Sequence, residues 1–159
     1  MSRSRRRALE RLWSVVADGG TARVLGVAGD RRGLTVLREM ASVDARRRTQ
    51  DLVSDQQGRS FESGSTTCHA IASGHDPHDV ARDRFVAQLA TMRNEDNRAR
   101  QFDDLILIVA HGYSGKLRDA LDSGARDRGR KIIVRDLTKQ PRPEIHARLV
   151  EVGLIPPRP

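Results

Sequence analysis

Within eleven residues the sequence places Cys68, His69, His75, Asp76 and His78. Thiolate and imidazole hold zinc in tetrahedral sites, so these residue types could bind a metal. The spacing matches neither a zinc finger nor a ribbon, and Asp76-Pro77 has a competing use as an N-cap acceptor followed by proline at the first helical position. A polar loop is the simpler reading, and neither a metal nor a cofactor is expected. A second set is acidic. Two-metal phosphodiester chemistry needs several carboxylates converging on ions roughly 4 Å apart. Asp18 closes the first apolar run and Asp136 follows the last, but the central run ends in Ala110-His111, with Asp103-Asp104 at its other end. Asp18 is therefore expected to be a turn residue and Asp136 to cap or pair locally. No catalytic residue is assigned.

Three further stretches could hold an anion. "HGYSGK" (111–116) lies between a strand and a helix, but Lys116 takes the last glycine position of a nucleophile elbow, and Leu117 stands where a phosphate loop needs Ser or Thr. Ser114 is expected as an N-cap, with Lys116 beside free N–H groups able to hold an anion. His111 is expected at the edge of the core. In "DQQGRSFESGS" (55–65), Arg59 between Gly58 and Ser60 could fork onto a phosphate or carboxylate, with Phe61 as its anchor. Pairing with an acid inside the fold explains Arg59 equally well and is preferred. Arg46, Arg47 and Arg48 form the third stretch.

The elements that must position these groups are readable. "LWSVVAD" (12–18) is apolar and rich in β-formers, and Asp18-Gly19-Gly20 suits a tight hairpin with positive φ. "TARVLGVAG" (21–29) and "LTVLREMA" (34–41) complete three antiparallel strands. Residues 44–77 keep no stable period, and a loop of that length in a compact domain usually carries function. A helix opens at Pro77 with Ala81, Phe85, Leu89 and Met92 on one face. "DLILIVA" (104–110) is apolar throughout, as in a strand buried on both faces. A helix with Leu117 and Leu121 inward follows and is expected to stop at Gly124. "RKIIVRD" (130–136) reads as another buried strand. The last helix follows Pro141 and Pro143, packs Ile145, Leu149 and Val152, and ends at Gly153. The order βββ-α-β-α-β-α predicts one three-layer, ribonuclease-H-like α/β domain with a mixed five-stranded sheet. It spans residues 12–153, between a basic arm (1–11) and a tail (154–159).

Composition narrows the partners. No apolar run approaches the ~20 residues that span a membrane, and none after the basic "MSRSRRRALERLW" has signal-peptide form. Cys68 is alone, so no internal disulfide can form, in keeping with a reducing compartment. A cytoplasmic protein without a membrane partner is expected. The net charge of +8, from 26 arginines and three lysines, permits a polyanion such as RNA or the ribosome. Aromatic residues at 3% are too few for a base-stacking platform. The oligomeric state is left open.

Five stretches together resemble a known family: "VADGGTARVL" (16–25), "SDQQGRSFES" (54–63), "HAIASGHDPHDVARDRFVAQLA" (69–90), "FDDLILIVA" (102–110) and "RDLTKQPRPEI" (135–145). In order and spacing they resemble the bacterial host-attachment proteins, over residues 12 to about 150. That family is regarded as a distant relative of the central domain of archaeo-eukaryotic release factors. The resemblance implies a ribonuclease-H-like fold and marks Asp18, Gly19 and Arg23 on a first hairpin. It marks Asp55, Gly58, Arg59 and Phe61 on a loop motif, His69 in a histidine-alanine pair, and Asp76, Pro77 and His78 at a helix start. Phe85 falls on the helix-core aromatic, and Asp136, Leu137 and Thr138 on the segment before the last helix. Cys68 stands where arginine is common, and "HGYSG" replaces a proline-rich stretch. Gly19-Gly20 is followed by Thr21, so the Gly-Gly-Gln tripeptide of release factors is missing. The expectation is a non-enzymatic intracellular binding module with an indirect part in attachment. A ribosome- or RNA-associated factor, with Arg59, Arg46–Arg48 and the basic arm on phosphates, is the alternative.

Overall fold

The computed structural model describes residues 3, 9–28, 33–44 and 77–157, with the backbone alone for His78. The sites read at Arg46–Arg48, Asp55, Gly58, Arg59, Phe61, Cys68, His69, His75 and Asp76 lie outside the described residues. The strands are β1 (Leu12–Ala17), β2 (Thr21–Val27), β3 (Leu34–Ala41), β4 (Asp104–Val109) and β5 (Gly129–Val134). The helices between and after them are α1 (Pro77–Arg98), α2 (Ser114–Ala120), α3 (Ser123–Asp127) and α4 (Arg142–Glu151).

The strands form one mixed sheet in the order β3-β2-β1-β4-β5. β2 runs antiparallel to β1 and β3, while β1, β4 and β5 are parallel, with Leu12 opposite Asp104 and Ala17 opposite Val109. This is the ribonuclease-H-like arrangement expected from the element order. The central strands β1 and β4 are apolar on both faces because both faces are covered. Val15 and Ala17 of β1 and Leu105, Leu107 and Val109 of β4 pack with Phe85, Leu89, Leu117 and Ala125 from α1, α2 and α3. Leu12 and Val16, with Ile106 and Ile108, pack on the other face with Ile145 and Leu149 of α4. Each Val, Leu, Ile or Phe among them, once buried, contributes roughly 1.5–3 kcal/mol. Three layers result.

Five expectations are corrected. β5 is the edge strand, not a strand buried on both faces: Ile133 packs inward, while Ile132 and Val134 are 38% and 50% exposed. The helix after β4 does not run to Gly124. It ends at Ala120, and Asp122 starts α3 by accepting the Ala125 N–H at 2.8 Å, so Gly124 lies inside that second helix. Asn94 Oδ1 holds the break by accepting the Asp122 N–H at 2.9 Å. Among the described glycines only Gly112 and Gly153 have positive φ, so the β1–β2 turn does not use that freedom of Gly19 or Gly20. Gly153 does end α4, as expected, at φ 72°. Ser114 does not cap α2, whose N-cap is Tyr113 without a side-chain bond, and His111 is exposed, not at the core edge.

Candidate functional site

In an open α/β sheet the crevice outside the carboxyl ends of the strands, where chain direction across the sheet reverses, is the place a ligand enters. Here β2 and β3 build the sheet to one side of β1, and β4 and β5 build it to the other. The turns leaving β1, β4 and β5 therefore diverge, and a cleft of about 780 Å³ lies among them.

Asp18 leaves β1 into this cleft. Its Oδ1 accepts the Gly20 N–H at 2.8 Å, the Thr21 N–H at 2.7 Å and the Thr21 hydroxyl at 3.1 Å. That oxygen is taken up by the turn, the local habit of aspartate before an extended segment. The other, Oδ2, lies 3.3 Å from Thr138 Oγ1. Thr138 has a single hydroxyl proton, and Asp136 Oδ1 is nearer at 2.5 Å and also accepts the Thr138 N–H at 3.0 Å. The single proton therefore favours Asp136, and the bond to Asp18 Oδ2 is the longer and weaker of the two. Among the described residues Asp18 Oδ2 accepts no other bond, so acceptor capacity remains there.

Arg23 fixes the wall that carries Thr138. From β2 its Nη2 donates to the carbonyls of Leu137, Thr138 and Gln140 at 3.0, 2.8 and 2.6 Å. These three carbonyls belong to a turn without ladder partners, and one guanidinium gathers them. Tyr113 forms the opposite wall. A Cβ on Gly19 would stand 2.6 to 2.9 Å from the Tyr113 ring, so glycine at 19 is what lets the ring approach the hairpin. Arg82 of α1 and Lys139 also line the cleft, and neither has a hydrogen-bond or ion-pair partner among the described residues. Asp18, Gly19, Arg23, Asp136 and Thr138, far apart in sequence, thus meet at one place. Residues 13–149 match the model of a family described as protein required for attachment to host cells.

The chain belongs to that family. No curated protein matches it. The first hairpin, through Asp18, Gly19 and Arg23, and the segment before the last helix, through Asp136 and Thr138, therefore line one cleft.

The other residues singled out go elsewhere. Lys116 donates to Asp83 at 2.6 Å on the outer side of α1 and α2, and that bond raises its pKa. Asp103, at the amino end of β4, pairs with Arg11 at 2.8 Å and Arg128 at 3.6 Å, on the opposite edge of the sheet from Asp18. Among the described residues no three acids, histidines or cysteines are grouped to hold a metal. No described helix is long and apolar enough to cross a membrane.

Tyr113, Arg82 and Lys139 were missed. Position after a strand and a positive-φ glycine could have pointed to Tyr113. Nothing local marks Arg82 or Lys139. Also missed was Arg93, fully buried 5.6 Å from the Trp13 ring centroid and paired with Asp96 at 2.5 Å. Its signal was present: Phe85, Leu89 and Arg93 follow one another at four-residue steps along the buried stripe.

Proposed function

We propose that the protein is a non-enzymatic binding module that works in the cytoplasm, holds its ligand in the carboxyl-end cleft, and influences attachment to host cells indirectly. One observation carries this: the convergent motif residues build a shape. Asp18 Oδ1 and Arg23 Nη2 are taken up by the backbone of the turns that wall the cleft. Groups so committed hold walls apart at a fixed distance, whereas a general acid or base must reach the proton of its substrate. The test is an amide-resolved NMR titration with ribosome-free extract of the protein's own cells. Shifts at Gly20, Thr21, Tyr113 and Thr138 are expected. Shifts confined to other surfaces, or none, would contradict the proposal.

A second reading is supported by the net charge of +8. In it the protein is an RNA- or ribosome-associated factor. Phosphate contacts release counterions, so such binding weakens steeply with salt. Recovery with ribosomes at low salt and loss at high salt would favour it. A protease-accessible fraction on the cell surface would overturn the cytoplasmic assignment.

A further inference from the structure

The cleft offers two kinds of unfilled group at once. Among the described residues Asp18 Oδ2 has only the long 3.3 Å contact from a Thr138 hydroxyl that lies nearer to Asp136, and Asp136 Oδ2 accepts no bond. Arg82 and Lys139 line the same cleft without partners among the described residues. The site therefore wants hydroxyl or N–H donors at one point and negative charge at another. A simple anion would leave the carboxylates unmet, and a simple cation would leave the arginine and lysine unmet. The described residues bring no third carboxylate, histidine or cysteine to Asp18 and Asp136. The group between those two acids is a hydroxyl, already hydrogen-bonded. Carboxylates of this kind suit a vicinal diol, as an acid beside a cofactor ribose does.

We infer that the cleft takes a ribonucleotide, with the ribose diol donating to Asp18 and Asp136 and the phosphate meeting Arg82 and Lys139. This rests on the cleft being the binding site, as proposed above. The half-buried Tyr113 ring is placed to lie against the base, and a cleft of about 780 Å³ is within the usual ~300–1,000 Å³ of ligand sites. The same diol and phosphate are presented by a free nucleotide and by the terminal ribose of an RNA with a 3′-hydroxyl.

The experiment is the same NMR titration with defined probes: adenosine and uridine 5′-monophosphates, their 2′-deoxy forms, and a short RNA ending in a 3′-hydroxyl. Saturable shifts at Gly20, Thr21 and Thr138 are expected, with the deoxy forms weaker by about tenfold, the worth of a hydrogen bond to a charged group. Asp18→Asn keeps the Oδ1 acceptor that the turn needs and replaces the free oxygen by a donor. It should erase the ribose-over-deoxyribose preference, and Arg82→Gln should weaken both sugars equally. Tighter binding of the RNA than of the monophosphates would identify the RNA end as the source. Equal binding of ribose and deoxyribose to the native protein, or shifts outside the cleft, would overturn the inference. Cleft shifts with cell extract but none with any probe would overturn the ribonucleotide and leave the cleft as the binding site. No cleft shifts with either would overturn both.

Discussion

At the amino end of β1 the Trp13 ring lies against the buried Arg93 guanidinium, whereas at the carboxyl end of the same strand Asp18 faces a cleft. Both ends carry charge, and the chain handles it differently. Arg93 is 0% exposed; among the described residues its only close counter-charge is Asp96 at 2.5 Å, with Arg38 3.7 Å from the same carboxylate. The Arg93–Asp96 angles do not make a hydrogen bond, and Nε, Nη1 and Nη2 of Arg93 have none. Burial lowers its pKa, Asp96 opposes that shift and Arg38 adds to it. A buried pair of this kind is poor evidence of stabilisation over an apolar core, yet removing one partner alone is costly. At the carboxyl end Asp18 and Arg23 are bonded to backbone, and the atoms left over point at a space large enough for a ligand. The sealed charge is architectural and the cleft charge is available for binding.

The largest test of that contrast is Arg93→Ala. It strands Asp96 and opens space beside Trp13, and should cost about 3 kcal/mol or more by chemical denaturation. Removing both charges, with Arg93→Met and Asp96→Leu, should restore most of that loss. If the double variant is no more stable than Arg93→Ala, lost packing rather than unpaired charge explains the effect.

Arg23→Ala comes next. It removes the Nη2 donor from a part-buried turn, and losing a hydrogen bond from a charged donor costs roughly 1.5–3 kcal/mol. Hydrogen exchange should quicken around residues 137–140 with the central strands unchanged. Gly19→Ala should cost less, about 1 kcal/mol, because the clash is with the far end of a tyrosine side chain that can swing away. Its signature is a moved Tyr113 ring, visible in a crystal structure or in NMR ring-current shifts.

The smallest effect belongs to the exposed Asp83–Lys116 contact. Its lysine pKa is raised in the folded chain, chiefly by the hydrogen bond from Lys116 to Asp83. The contribution is thus complete below the ordinary lysine value and is lost as pH rises through the raised one. Asp83→Asn should lower the denaturation midpoint slightly at neutral pH and should flatten any decline above about pH 10.

Sequence pattern carried the sheet well because period and composition report burial directly. The continuous "LILIV" of β4 demanded two covered faces, and it has them. The same inference failed for "RKIIVR" of β5, since an edge strand can be just as apolar in part, and strand order is not written in any one strand. Asp122 was overlooked as a helix start because the short α3 has no room for a periodic stripe. At the site, Asp18 was legible as a turn residue, but Arg23 and Thr138 only as motif positions. Their meeting depends on parallel pairing that brings together segments 115 and 120 residues apart in the chain. Arg82 and Lys139 looked like ordinary surface cations, and only the fold places them beside unfilled carboxylates.

The measurement that bears most directly on the cleft as the binding site compares two variants in one NMR titration with the cell extract. One is Thr138→Val, which removes the hydroxyl between Asp18 and Asp136. The other is Arg93→Met with Asp96→Leu, at the sealed end. If the cleft is the site, Thr138→Val loses the shifts at Gly20 and Thr21 while keeping its native spectrum elsewhere, and the double variant retains them. Shifts that survive in Thr138→Val and vanish in the double variant would contradict it.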